Sequence, residues 1–356
     1  MKILFFSDLH IYNHFAKTIF EDTAQRFLIH LLAYCKAQGI TKVVFLGDWF
    51  HLKNKIQVPS YIKSYDLLEE FKANGIEFIF IIGNHDMPQA DTTDFSIIHS
   101  FKDYGKVISC YDWVDVDNVR FHCLSYTKQL PNFEYDQDRK NILCSHLDIN
   151  NFLMENNFIC NNGFSISEFN KFDLVFSGHY HKHQIINNII YIGSPYQVRF
   201  SERFDQKGFV VLDTSTLKWT FENYGDAPVF KEIVDIDNAN PEDVKGNFVR
   251  IKTHKGNKDL SKIKEELIAA GAESVDFIFE NEDESQELNI IEDLATGSMK
   301  ELAEQFIKGL LETKSFPTEL KSLVEAGDVN KDDFIGIFDA IESAHLSGWK
   351  PKEDEA

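Results

Sequence analysis

The chain has 356 residues, of which 43% are hydrophobic and 26% charged, and this balance is typical of a globular protein with a large core. No apolar stretch reaches the roughly 20 residues of a membrane helix and no signal peptide is visible, so the sequence predicts a cytoplasmic protein that does not use the membrane. Five cysteines without a CxxC pair argue against a zinc or disulfide framework and predict reduced, mostly buried thiols.

The formal charge of −21 is concentrated in the last third of the chain. From residue 231 onward there are 15 Lys and Arg against 30 Asp and Glu, and 271–299 contains no basic residue. This acidity argues against broad nonspecific affinity for nucleic acid. If the substrate is DNA, bound metal ions or a more basic partner must offset the repulsion between this chain and phosphate.

Predicted strands alternate with helix-length segments in the first half of the chain. In order, these are a strand over 3–7, a helix near 18–38, a strand over 42–46, a helix over 59–73, a strand over 76–82 and a helix near 92–102. More closely spaced strands follow at 106–110, 119–124, 140–145, 172–177, 189–192 and 208–213. This order predicts a layered α/β fold, with one mixed sheet or two sheets packed face to face and helices outside.

The strand pattern breaks around 225–232, and smaller units follow. A β-α-β piece is predicted from elements at 247–253, 259–270 and 274–280. The charge run at 280–287 predicts a solvated linker. Two helices, near 288–312 and from Asn330 onward, then carry apolar stripes that dock either on the chain's own core or in a partner's groove.

Apolar strands run directly into polar residues at five places. The segments are "SDLH", "GDWFH", "GNHD", "SH" and "GHYH". They supply two aspartates, one asparagine and four histidines, namely Asp8, His10, Asp48, Asn84, His146, His179 and His181. Open α/β sheets bind ligands beyond the carboxyl ends of their strands, and residues i and i+2 of a strand share a face. We therefore expect these side chains to meet.

Seven oxygen and nitrogen donors are too many for one tetrahedral metal site. They fit two octahedral metals that share a bridging carboxylate, and the absence of thiolate ligands favours manganese or iron over structural zinc. Two metals about 3.5–4 Å apart lower the pKa of water and clamp a phosphoryl oxygen for in-line displacement. The sequence therefore predicts a two-metal hydrolase of phosphate esters.

In this order, the five motifs resemble those of the calcineurin-like metallophosphoesterases. The resemblance implies a four-layer αββα sandwich. The ligand sets that it implies are Asp8, His10 and His181 for one metal, and Asn84, His146 and His179 for the other, with Asp48 as the bridge. It also implies that His85 protonates the leaving oxygen while Asp86 holds the other ring nitrogen of His85.

Three details resemble one branch of this family, the double-strand-break nucleases that include SbcD, meiotic recombination eleven and the exonuclease subunit of T-even phages. His51 stands where many relatives have an aspartate, and the resemblance makes it a second phosphate-facing histidine. The segment "YIGSPYQVRFSE" (191–202) is also similar to that branch. The third detail is the layout, which implies a nuclease domain over 1–228, a small α+β capping domain that contacts DNA over 229–282, and an acidic linker with a helix pair over 283–356.

The same branch implies a function and partners. The activity would be a Mn²⁺-dependent duplex exonuclease and endonuclease in DNA replication, recombination and repair, with two Mn²⁺ that Fe²⁺ or Mg²⁺ can replace. The helix pair would bind the coiled coil of an SbcC-like ABC ATPase, in a heterotetramer built on a homodimer. Duplex DNA ends and single-stranded DNA would be the substrates, in the host cytoplasm if a phage encodes the chain. Candidate phosphate contacts are Lys53, Lys55, Arg199 and Arg203.

Two other functions stay open on the sequence. A phosphodiesterase for cyclic nucleotides or dinucleotides would use the same fold and metals, because site chemistry alone does not name the substrate. His51 and the C-terminal helix pair argue against it. A non-enzymatic scaffold with structural metals is the other alternative, and it would leave His85 without a purpose.

Overall fold

The computed structural model describes residues 1–12, 19–89, 92–154, 158–234, 244–253 and 260–279. Contacts group residues 1–279 into one unit and 280–356 into a second. The predicted linker and the two C-terminal helices fall in the second unit and lie outside the described residues. Within the described part, no helix combines the length and the apolar character that crossing a bilayer requires.

Three α-helices and fifteen strands make up the main regular structure of the described residues. In chain order they are β1 (Lys2–Phe6), α1 (Ile19–Gln38), β2 (Lys42–Phe45), α2 (Val58–Ala73), β3 (Glu77–Ile81), β4 (Gly105–Ile108), β5 (Tyr111–Val116), β6 (Val119–Leu124), β7 (Lys140–His146), β8 (Leu174–Gly178), β9 (Gln184–Ile186), β10 (Ile189–Tyr191), β11 (Gly208–Asp213), β12 (Trp219–Asn223), β13 (Phe230–Val234), β14 (Phe248–Thr253), α3 (Leu260–Ala269) and β15 (Ser274–Phe279).

Two six-stranded mixed sheets form the sandwich. The first has the order β12-β11-β1-β2-β3-β4, and β1 to β4 run parallel. The second has the order β5-β6-β7-β8-β10-β9, with β6, β7, β8 and β10 parallel. Parallel strands covered on both faces are expected to be apolar throughout, and β1 and β3 are buried at every position after their first. The expected sandwich of two mixed sheets is confirmed.

Apolar side chains fill three layers between and outside the sheets. Phe5 of the first sheet stacks on Phe176 of the second, with ring centroids 4.7 Å apart, so the two sheets share an inner core. The other face of the first sheet packs on α1 and α2, where Phe6 meets Phe27. The outer face of the second sheet is covered, in the described residues, by loops and a 3₁₀ helix (Ile166–Phe169) rather than by an α-helix.

One predicted helix is wrong in type. The segment near 92–102 forms two 3₁₀ helices, Thr93–Phe95 and Ile97–Tyr104, instead of one α-helix. Ser96 separates them because its backbone is extended (ψ 138°) and its side chain accepts a hydrogen bond from the Ile98 amide at 3.2 Å. Serine competes in this way with helical hydrogen bonds, which ends one turn and caps the next.

A small third sheet follows the sandwich. Its strands β13, β14 and β15 are all parallel, and α3 connects the last two. The core of this sheet contains Val249, Ile251 and Leu267. Phe248 stacks on Phe20 of α1, with ring centroids 4.9 Å apart, so this sheet packs on the first helix of the sandwich. The strand β13 was not predicted from the sequence.

Candidate two-metal active site

Four of the predicted ligands leave their strands through left-handed backbone conformations. β1 ends at Phe6, so Asp8 and His10 lie beyond the strand, and the strand alternation expected for them is wrong. Their φ angles are 53° and 45°, and those of Asp48 and His179 are 64° and 97°. Non-glycine residues rarely adopt this region and tend to do so at functional sites.

Backbone hydrogen bonds hold the first two of these loops side by side. The Asp8 amide donates to the Gly47 carbonyl at 3.0 Å, and the His10 amide donates to the Asp48 carbonyl at 3.1 Å. The motif glycines allow this approach. A Cβ at Gly83 would lie 2.1 Å from Asp48 Oδ1, and one at Gly178 would lie 2.6 Å from the Leu46 carbonyl oxygen. The loops therefore converge at one end of the sandwich.

The first predicted ligand set is gathered in the interior. Asp8, His10 and His181 place one potential ligand atom each within 4.8 Å of one another. All three are at most 3% exposed. The rings of His10 and His181 are 4.7 Å apart between centroids.

The second set lies beside it, with Asp48 between the two. Asn84 Oδ1 is 3.0 Å from His146 Nε2 and 2.9 Å from His179 Nδ1. Asp48 Oδ2 is 3.4 Å from His146 Nε2 and 3.6 Å from His10 Nε2. Its carboxylate thus contacts a residue of each set, which is the position that a bridging ligand requires.

The hydrogen bonds of the histidines fit bound cations. His146 Nδ1 donates to the Leu46 carbonyl at 2.7 Å, while its Nε2 faces the oxygens of Asn84 and Asp48. His179 Nε2 donates to Asp148 Oδ1 at 2.8 Å, while its Nδ1 faces Asn84 Oδ1. A neutral imidazole has one donor nitrogen and one acceptor nitrogen. Because the donor nitrogen of each ring is already used, the acceptor nitrogen of each ring faces oxygen atoms that also carry lone pairs. A cation among these atoms removes the conflict, and the residues therefore fit divalent metal ions.

The buried contact between Asp48 and His146 shifts the pKa of both groups. Burial disfavours charge on both Asp48 and His146, but their mutual attraction outweighs it. The pKa of Asp48 is therefore lowered well below its usual value, and the pKa of His146 is raised to about 9. Each group stabilises the charged form of the other, as expected for a buried pair of opposite charges.

Two further histidines lie over the ligand sets. His85 is 4.8 Å from His10 between ring centroids, and His51 stacks on His85 at 5.4 Å. The His85 amide donates to Asp48 Oδ1 at 2.8 Å, and His85 Nδ1 donates to the His51 carbonyl at 2.5 Å. The ring of His85 is thus oriented by the backbone through its Nδ1.

The role predicted for Asp86 is wrong. Its carboxylate does not hold the ring of His85 but accepts three backbone amides, from Asp48 at 2.8 Å, Trp49 at 2.9 Å and Gly83 at 2.9 Å. Asp86 is 2% exposed and ties the loop after β2 to the turn after β3. The sequence spacing could not show this, because two of the three amides, those of Asp48 and Trp49, belong to a segment far away in the chain.

Two carboxylates that contact the histidines were missed by the sequence reasoning. Asp148 accepts from His179, and Glu202 accepts from His181 Nδ1 at 2.9 Å. Asp148 also accepts from Lys128 Nζ at 2.5 Å, and His179 and Lys128 lower its pKa in spite of burial. The only sequence signals were the proximity of Asp148 to the "SH" motif and the position of Glu202 at the end of "YIGSPYQVRFSE".

The four candidate phosphate contacts differ in their surroundings. Lys53 and Lys55 are exposed, and Lys53 lines a cleft of about 340 Å³ together with Asp86 and Phe95. Arg199 Nε is 3.4 Å from Glu202, and Arg203 is 3.5 Å from Glu232. The two arginines thus have acidic partners within the protein, whereas the two lysines extend from the loop that follows His51.

Comparisons with known proteins agree with this site. Residues 1–183 match the family described as calcineurin-like phosphoesterase. Exonuclease subunit 1 of Enterobacteria phage T4 is 25% identical over 199 residues, which are 53% of this chain and 58% of that relative, so the match spans little more than half of the relative's length.

Three solved structures are similar at low sequence identity. A novel archaeal phosphodiesterase is 12% identical with a TM-score of 0.34, covering 63% of this chain and 100% of its own. A dimetal phosphatase from Danio rerio is 10% identical with a TM-score of 0.37, covering 59% and 91%. The Pseudomonas putida nuclease MPE is 14% identical with a TM-score of 0.26, covering 45% and 70%.

The family match covers more than half of the chain and includes all seven predicted ligands. Members of this family are hydrolases that bind two metal ions. In the matched region, three groups of side chains could hold a metal ion, namely Asp8 with His10 and His181, Asp48 with His146 and His179, and His10 with His51 and His85. The chain belongs to the calcineurin-like phosphoesterases and is a metal-dependent enzyme that hydrolyses phosphate esters.

Proposed function

We propose that this chain is the nuclease subunit of an SbcCD-type complex and cleaves DNA in a Mn²⁺-dependent reaction, as both exonuclease and endonuclease. The observation that carries the proposal is the stacked pair His51 and His85, 5.4 Å apart over the ligand sets. Two imidazoles at one site can contact a phosphodiester on both sides of its phosphorus. A phosphodiester, unlike a monoester, has two ester oxygens on its phosphorus, one of which leaves and one of which stays.

Seven side chains would hold the two ions. One ion would be held by Asp8, His10 and His181, and the other by Asn84, His146 and His179. Asp48 would be shared by both ions. When bound, the ions supply positive charge that neutralises the phosphate and activates water for in-line attack. His85 would give a proton from Nε2 to the leaving 3′ oxygen, because its Nδ1 is committed to the His51 carbonyl. Manganese suits this mixed set of oxygen and imidazole ligands.

The similarity to phage T4 exonuclease subunit 1 supports DNA as the substrate and a complex as the working form. Residues 229–282 would contact DNA, and the helix pair in 283–356 would bind the coiled coil of an SbcC-like ABC ATPase. Lys53 and Lys55, which are exposed in the loop after His51, would contact the phosphate backbone. A partner with more basic charge would offset the net charge of −21.

The test is a cleavage assay with the purified chain, alone and together with an SbcC-like ABC ATPase. We expect Mn²⁺-dependent digestion of blunt duplex DNA that depends on the ATPase and ATP. His85→Ala should lose cleavage and keep its Mn²⁺. The control His30→Ala, which changes a residue of α1 beside Phe209, should cleave normally. A chain that ignores DNA with the ATPase present but hydrolyses cyclic nucleotides would contradict the proposal and favour the small-molecule phosphodiesterase.

A further inference from the structure

The segment 193–207 contacts the backbone carbonyl and the ring nitrogen Nδ1 of His181. It leaves β10 through Gly193, which has a left-handed φ of 82° and where a Cβ would lie 2.7 Å from the His181 carbonyl oxygen. The Ser194 amide donates to that same carbonyl at 3.0 Å. Only glycine fits this approach without strain, so the chain turn is built around His181.

Glu202 completes the contact from the other end of the segment. It lies in a 3₁₀ helix (Phe200–Glu202), is 2% exposed and accepts from His181 Nδ1 at 2.9 Å through Oε1. Because a carboxylate only accepts, His181 Nδ1 carries the proton and Nε2 carries the lone pair. The nitrogen with the lone pair is the one that a metal ion needs.

Lys207 locks this carboxylate in place. Its Nζ, on a side chain only 5% exposed, is 3.0 Å from Glu202 Oε2 and donates to the His181 carbonyl at 2.9 Å and to Ser194 Oγ at 2.8 Å. The Val198 amide also donates to Glu202 Oε2, at 3.0 Å. Ion pairs this deeply buried are seldom needed for stability, since apolar residues of similar volume do as well. The cost of burying these charges indicates a role in holding His181.

We infer that Glu202 is a positioning residue that fixes the ring and the tautomer of His181 for one of the two metal ions, with Lys207 holding Glu202. The inference rests on the proposed two-metal centre but not on the substrate. Carboxylates that accept from metal-binding histidines in this way raise metal affinity, and losing one weakens it by about 10–100-fold.

The isosteric change Glu202→Gln tests the inference well. Both carboxylate oxygens accept, Oε1 from His181 with Arg199 Nε also 3.4 Å away, and Oε2 from Lys207 and Val198. An amide turns its NH₂ group toward one of these donors whichever way it is oriented. Glu21→Gln is the matched control, because Glu21 is also buried (5% exposed) and hydrogen-bonded, to Ser60 Oγ at 2.8 Å between α1 and α2.

The measurement is Mn²⁺ binding to the full chain, by calorimetry and by electron paramagnetic resonance. We expect two ions that give a spin-coupled signal in the wild type and in Glu21→Gln. In Glu202→Gln one ion should bind about 10–100-fold more weakly, and at intermediate Mn²⁺ the signal should be that of a single uncoupled ion.

A second variant separates positioning from folding. Glu202→Leu with Lys207→Met removes both buried charges at similar volume, so the fold should be kept, while His181 Nδ1 loses its acceptor. A folded double variant that binds two Mn²⁺ with wild-type affinity would overturn the inference. A wild-type chain that binds two Mn²⁺ and leaves DNA intact would contradict the proposed nuclease function and leave the role of Glu202 standing.

Discussion

Asp86→Asn distinguishes a scaffold role for Asp86 from the catalytic role expected from the sequence. The structure gives the carboxylate three backbone donors, the amides of Gly83, Asp48 and Trp49, at 2.8–2.9 Å. His85 instead uses the His51 carbonyl. If Asp86 is a scaffold residue, its loss should reduce stability and metal binding rather than proton transfer alone.

The magnitude follows from the donors. Asparagine keeps one acceptor oxygen. If this oxygen takes the position of Oδ2, it retains the hydrogen bonds from the amides of Asp48 and Gly83. The NH₂ group then faces the Trp49 amide, which loses its acceptor. A buried donor without an acceptor costs about 1–3 kcal/mol. At about 2–4 °C per kcal/mol for a domain of this size, the Tm should fall by about 2–12 °C. Asp86→Ala removes the acceptor for all three amides and should lower the Tm further.

The assay is thermal unfolding together with Mn²⁺ titration. Asp86→Asn should melt earlier and bind Mn²⁺ more weakly, because the loop that carries Asp48 is no longer tied to the turn after β3. His85→Ala is the control, since it changes the neighbouring ring and leaves the three amides with their acceptor. An Asp86→Asn chain with wild-type Tm and Mn²⁺ affinity but no cleavage would refute the scaffold role and restore the pairing with His85.

Four further predictions concern metal, catalysis, packing and pH. Adding Mn²⁺ to chelator-treated protein at 100 times its Kd should raise the free energy of unfolding by about 2.7 kcal/mol per site, and an unchanged Tm would contradict the metal centre. His51→Ala should slow DNA cleavage by about 10²-fold or more with two Mn²⁺ still bound, because its carbonyl still orients His85 although the contact of its ring with His10 Nδ1 at 3.4 Å is lost. Gly178→Ala should cost about 1–3 kcal/mol in chemical denaturation, since its Cβ would lie 2.6 Å from the Leu46 carbonyl oxygen. Burial lowers the pKa of His122, so the unfolded chain binds the proton first. The contribution of the buried, neutral His122 to stability is therefore complete above the unfolded pKa of about 6.5 and is lost as the pH falls below that value. The plot of Tm against pH should be flatter in His122→Gln.

The general position of the site could be predicted from the sequence because it follows from strand order. Apolar segments that alternate with helices predict parallel strands, and β1, β2 and β3 are parallel neighbours. Their carboxyl ends meet at one edge, where the polar motifs follow. The left-handed turns at Asp8 and Asp48 could not be predicted, because they depend on hydrogen bonds between two distant loops.

Edge strands and contacts from distant segments were missed for physical reasons. β5 and β12 are edge strands that are largely half-exposed along their length, so neither has the continuous apolar run of the buried strands, although Trp219 and Phe221 of β12 alternate with polar residues. Asp148 and Glu202 act on histidines that are remote in sequence, and a lone acidic residue gives no pattern. The role of Asp86 was carried over from the family resemblance, whereas in this chain the His51 carbonyl accepts from His85 Nδ1 in its place.

The most direct test of the two-metal centre is anomalous diffraction at the manganese edge from crystals grown with Mn²⁺. We expect two manganese peaks about 3.5–4 Å apart. One should lie among Asp8, His10 and His181, the other among Asn84, His146 and His179, with Asp48 touching both. A single peak, or two peaks that do not share Asp48, would contradict this expectation.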